Sequence, residues 1–207
     1  EDGRPKYLPA DEYLSGNVRE KLAIAKRSAE LHPEDYGENV RALEAVQPVD
    51  LTASEISVRL GATWLTLEII EEFMFELFST PRYCQWNIHV HYAQYTGEWN
   101  VEGKSYDRSN VKAYNTYGTG RVNGYKIMEE TLNLRDVRIF DYIEDGNGMK
   151  TALLNKKETA IAQGKQELIK QAFADWIWSD PERREQLTKL YNEKFNSIRP
   201  ASMTAAT

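Results

Sequence analysis

An α+β fold, with a small, mainly antiparallel sheet, flanking helices and helical segments at both ends, is the class this 207-residue sequence predicts. Three observations carry it. Apolar residues recur at helical spacing over residues 18–46 and again over 156–195, while between them the period drops to two in 87–102 and 134–154. Turn residues, Thr96-Gly97 and Asp145-Gly146-Asn147-Gly148, then stand where antiparallel strands would reverse.

Taken in order, residues 1–12 with Pro5 and Pro9 read as an extended leader. Ser15 or Asn17 can cap a helix to Leu31 that places Val18, Leu22, Ala25 and Ala29 on one side. His32-Pro33 stops it, and a second helix from Tyr36 to Val46 closes before Pro48. Thr52 and Glu55 have capping-box spacing, but Ile56, Val58 and Leu60 alternate, and the reading adopted is a short strand ending at Gly61. From Leu67 to Phe78 a wide apolar face predicts a central core helix, with Glu68, Glu71, Glu72 and Glu76 as its solvated side.

A hairpin is expected next, with Ile88, Val90 and Tyr92 on one arm and Trp99 and Val101 on the other. A helix over Val122–Leu132 follows, then strands over Leu134–Ile143 and Met149–Leu154. Asn155 caps a long helix to Trp178, and Asp180-Pro181 starts the last one, since proline at a first turn lacks only an N–H that would be unpaired there. A single domain over 13–200 and a disordered tail over 201–207 complete the expected organisation. The chain begins at Glu1 without a methionine and reads as an excised or processed piece.

No apolar run approaches the ~20 residues of a membrane span, so a soluble, cytoplasmic protein without membrane contact is expected. One cysteine, Cys84, excludes an internal disulfide. Formal charge is −6 overall but uneven, at −8 over 1–78, +3 over 79–126 and −1 over 127–207. Such a chain would bind a polyanion locally or not at all.

The reversal of sign centres on KSYDRSNVKAYNTYGTGRVNGYK, residues 104–126. Lys104, Arg108, Lys112, Arg121 and Lys126 stand there against Asp107, with Tyr106, Tyr114, Tyr117 and Tyr125 and with Asn110, Asn115 and Asn123 between them. Cations suit phosphates, rings suit stacking and amides suit base edges, so Lys104, Arg108, Lys112, Tyr114, Asn115, Tyr117, Arg121 and Lys126 form a candidate nucleic-acid surface. The composition fits equally a loop whose rings pack on the core while its charges face water.

Other chemistry finds little support. Gly118 to Lys126 has one residue too many between its outer glycines, a tyrosine before the lysine and no hydroxyl after it, which argues against a phosphate-binding loop. His89 and His91 could chelate from one strand face, but alternation already explains them as its polar side. Cys84 lies in apolar surroundings that keep a thiol protonated. The expectation is no catalytic residue, no metal and no cofactor.

Several segments, among them YLSGNVREKL (13–22), VRLGATW (58–64), YTGEWNVEGKS (95–105), NTYGTGR (115–121), TLNLRDVRIFD (131–141), LNKKET (154–159), FADWIWSDPERR (173–184) and YNEKFNSIRP (191–200), resemble the large helicase–methylase polyproteins of conjugative elements and phages. In that family an adenine-N6 DNA methylase region is joined to a SNF2-type helicase. The resemblance implies a parent that modifies or remodels DNA, with this piece between its two engines and carrying no catalytic motif of either. It makes DNA and the flanking methylase and helicase domains the expected partners. The expected function is then a non-catalytic DNA-engaging accessory domain. The alternative is a coupling module that docks methylase against helicase through Trp176, Trp178 and the acidic N-terminal helices without touching nucleic acid.

Overall fold

A computed structural model describes residues 8–144, 146 and 148–201. The first seven residues of the predicted leader, Asp145 and Asn147 of the predicted turn, and the tail from 202 lie outside the described residues. The chain divides into two compact units, one within Glu1–Ile56 and Glu185–Thr207 and the other Ser57–Arg184, where the sequence suggests one domain.

In the first unit, α1 (Ala10–Tyr13) begins directly after Pro9, so residues 10–12 are helical rather than extended. Asp11 and Glu12 in that first turn favour the helix dipole. Strand β1 (Gly16–Asn17) leads into α2 (Val18–Leu31), whose cap is Asn17, its side chain accepting from the Glu20 N–H. Helix α3 (Pro33–Ala45) starts at Pro33, which therefore opens the second helix as well as closing the first. Val18, Ala25 and Leu43 form the buried seam between the two helices.

The second unit is built on α4 (Leu67–Phe78), with Ile70, Phe73, Met74 and Phe78 buried. Burying each such side chain contributes roughly 1.5–3 kcal/mol. A short helix α5 (Arg82–Gln85) precedes the hairpin β2 (His89–Ala93) and β3 (Glu98–Glu102), in which Val90 pairs with Val101 and Tyr92 with Trp99. A π-helical turn over Lys112–Thr116 leads to α6 (Gly124–Leu132), capped by Asn123. The second hairpin, β4 (Phe140–Glu144) with β5 (Lys150–Leu154), is followed by α7 (Lys156–Ile177), capped by Asn155. Helix α4 packs against β2, α6 and α7, and α6 against β3. The Phe73 and Phe173 rings meet edge to face at 5.1 Å. Helix α8 (Pro181–Phe195) and strand β6 (Ile198–Arg199), paired with β1, end the chain's described elements.

The α+β class holds, with helices flanking antiparallel strands, and among the described residues the strands form three separate two-stranded ribbons in place of one small sheet. The strand expected to end at Gly61 is not formed. Ile56 and Leu60 are buried in alternation as such a strand would require, yet no second strand pairs with the segment, and Glu55 accepts from the Thr52 N–H and hydroxyl in a local turn. The strand expected from Leu134 begins only at Phe140, because Leu134 takes the left-handed conformation (φ 58°) that ends α6. Arg135 N–H donates to Glu130 O across that end, as in a Schellman cap. The glutamates of α4 are not simply solvated. Glu71 accepts from the Val90 N–H (2.7 Å), Glu76 from Trp176 Nε1 (2.7 Å) and Glu72 from Arg183 (3.2 Å).

Candidate nucleic-acid interface

The basic stretch leaves β3 through Gly103, whose positive φ (72°) and the Asn87 carbonyl, 1.8 Å from where a Cβ would sit, exclude any side chain. Its first member, Lys104, turns inward to Glu129 and to Val101 O (2.5 Å). Lys126 donates to Glu129 and Glu130, both at 2.6 Å. Burial by itself would raise the Glu129 carboxyl, but hydrogen bonds from Lys104, Lys126 and the Val101 amide outweigh it and hold the group below its usual range. Arg121 pairs with Asp141 at 2.8 Å, and this contact, with a second from Asn155, lowers the Asp141 carboxyl. Three of the five predicted cations are thus neutralised by the chain's own carboxylates.

The predicted rings and amide divide in a similar way. Tyr117 is half-buried with its ring 5.9 Å from that of Phe78, and Tyr114 is half-buried with its hydroxyl accepting from Asn123 Nδ2. Asn115 is exposed, and its backbone carbonyl accepts from Lys165. Tyr125 is wholly buried, hydrogen-bonded to Thr80 (2.7 Å) and Asp107 (2.9 Å), and burial pushes its phenol far up. Asp107, itself buried, also accepts from Asn110 and lies 3.8 Å from Cys84 Sγ. This polar clasp pins residues 106–112 against residues 78–85, helped by Asn110 Nδ2 to Phe78 O (2.9 Å) and Lys112 Nζ to Ser79 Oγ (2.8 Å).

Arg108 and Lys112 remain exposed and have no carboxylate partner among the described residues. The clasp adds to them a group that the basic stretch does not contain. Arg82, exposed and without an ion pair among the described residues, comes from α5 together with Tyr83 (71% exposed), Trp86 (82%) follows as the C-cap of that helix, and Tyr106 (62%) stands on the facing segment. One sequence signal was available for these residues, since residues 79–97 contain no Asp or Glu at all. Residues 78–86 and 106–112 together carry three cations without an ion pair among the described residues, three exposed rings and one acid, the buried Asp107.

A family model described as a domain of unknown function, DUF8437, matches residues 59–197. The chain belongs to the DUF8437 family. No curated protein and no solved structure matches it. Every candidate residue named above lies within the matched span of this DUF8437 chain.

Elsewhere on the DUF8437 unit, His89 and His91 each face a glutamate, Glu71 at 3.6 Å and Glu102 at 3.0 Å, and no metal-sized cluster of ligands occurs among the described residues. Cys84 is buried, and burial, then the neighbouring Asp107, raises its thiol. Trp176, a candidate docking residue, has the Arg183 guanidinium 3.5 Å from its ring centroid and its N–H on Glu76. Among the described residues no helix is long and apolar enough to cross a membrane.

Proposed function

We propose that this DUF8437 domain is a non-catalytic accessory module that engages DNA, working in the cytoplasm within a parent whose methylase and helicase the sequence resemblance implies. Arg82, Arg108 and Lys112 contact phosphates while Tyr83, Trp86 and Tyr106 stack on bases. The reading rests on one observation above all: two acid-poor segments are clasped together so that their cations lack carboxylate partners while their rings stay open. Exposed rings favour unpaired bases, whose faces are accessible, over a stacked duplex.

Fluorescence anisotropy with a short single strand and its duplex, at low and raised salt, tests it. Binding to the single strand is expected to weaken with salt at a log–log slope of about −2, as three phosphate contacts on a single strand give. Reversing Arg82, Arg108 and Lys112 to glutamate is expected to abolish it without shifting thermal unfolding, while reversing exposed Lys156 and Lys157 leaves it intact. Absence of binding at low salt, or wild-type binding by the triple variant, overturns the proposal.

A further inference from the structure

Strands β2 to β5 present four outer edges, and three of them are covered at one or more backbone groups by side chains among the described residues. Glu71 takes the Val90 N–H on β2, Glu129 and Asn133 take the Val101 and Trp99 amides on β3, and Arg121 Nη2 donates to Phe140 O on β4. The edge of β5 has no such cover among the described residues. Which groups it shows follows from register. Asn155 N–H donates to Ile139 O (2.8 Å), so 139 and 155 turn their backbone groups toward each other. Alternation then turns 141/153 and 143/151 inward, and the amides and carbonyls of Lys150, Ala152 and Leu154 point away from β4.

The ribbon is also poorly covered on its faces, with Tyr142 71%, Ile143 56% and Leu153 57% exposed. A two-stranded ribbon is marginal in water until further strands or a packed face support it. An open, apolar edge of this kind is a template for another strand.

We propose that β5 pairs antiparallel with β5 of a second copy of this chain about a two-fold axis at Ala152, giving a continuous four-stranded sheet. That axis sets Ala152 against Ala152 and Lys150 against Leu154 of the second copy, so every outward-pointing backbone group of β5 meets an outward-pointing group. A slip of one residue would set them against inward-pointing groups. Charge favours a second copy over a charged partner. Glu144 and Lys150 are cross-strand neighbours within the ribbon, Asp141 is neutralised by Arg121, and no like charges stand directly opposite each other along the paired β5 strands. A nucleic acid or strongly charged peptide finds no net opposite charge there. This surface shares no residue with the proposed DNA contacts, so the two readings fail independently.

Two measurements on the full chain test it. In sedimentation velocity over a concentration series, wild type is expected to show a monomer–dimer equilibrium that Ala152→Pro weakens about a hundredfold, since proline in both copies removes the two central ladder bonds. Under mild oxidation Ala152→Cys is expected to give a covalent dimer, because hydrogen-bonded pairs place Cα atoms about 5.5 Å apart, within disulfide reach. Lys150→Cys is expected to give none, its two thiols lying more than about 12 Å apart. Buried Cys84 supplies no competing thiol. A wild-type chain that stays monomeric throughout, or a Lys150→Cys variant that cross-links as readily as Ala152→Cys, overturns the proposal. Should Ala152→Pro disturb the ribbon itself, the cysteine pair still decides.

Discussion

The backbone N–H of Val101 donates to Glu129 Oε2 at 2.9 Å, so the carboxylate that neutralises Lys104 and Lys126 also closes the outer edge of β3. Glu129→Gln keeps an acceptor for the amide but leaves both ammonium groups without their shared anion. We expect a loss of about 2 kcal/mol at neutral pH, read by denaturant unfolding. The folded carboxyl lies below its ordinary 4.5, so its contribution is complete above that value and disappears as pH falls through the depressed one. The gap between wild type and variant should therefore close under acid.

Rings and cations of the proposed interface should leave different signatures. Trp86→Ala and Tyr83→Ala are expected to weaken single-strand binding by about 1–3 kcal/mol each with the salt slope unchanged. Arg108→Ala is expected to weaken binding and also flatten that slope by about 0.7, one single-strand phosphate contact. Anisotropy titrations at several salt concentrations separate the two.

Leu134 ends α6 at φ 58° with its side chain 57% exposed, the position where glycine costs nothing sterically. A left-handed conformation costs an L-residue about 1–2 kcal/mol, part of which glycine returns through its looser unfolded chain. Leu134→Gly should therefore raise stability by about 0.5–1 kcal/mol in thermal or denaturant unfolding.

Arg183 is 8% exposed and stacks on Trp176 while donating to Ile177 O (3.2 Å), Trp176 O (2.8 Å) and Glu72 (3.2 Å). Removing it should cost about 3 kcal/mol, from the Ile177 carbonyl left without this donor, the lost pairing with Glu72 and the lost cation–π contact. Lysine cannot reproduce the planar fork, so Arg183→Lys should recover less than half of that loss in thermal unfolding.

Local signals in the sequence located the helices well. The Asn17 and Asn155 caps and the apolar stripe of α4 sit where spacing and capping chemistry place them, whereas α6 starts two residues later than expected because Asn123 caps it. Pairing was less legible. Ile56, Val58 and Leu60 alternate like a strand, but a ladder needs a partner that only tertiary structure supplies. In the sequence the candidate site is one contiguous stretch, because composition records that Lys104, Arg121 and Lys126 are basic but not that Glu129, Glu130 and Asp141 fold onto them. Arg82, Tyr83 and Trp86 join Arg108 and Lys112 through the buried Asp107, Tyr125 and Cys84 and the Asn110 and Lys112 contacts beside them, and that association is absent from any window of sequence.

Cys84 sits behind that clasp as the sole sulfhydryl in 207 residues, so an alkylating reagent reaches it only when residues 106–112 lift away. Its modification rate is accordingly an intrinsic clock for local opening. A bound oligonucleotide that bridges both segments would slow that clock, with no dye or tag attached to the protein.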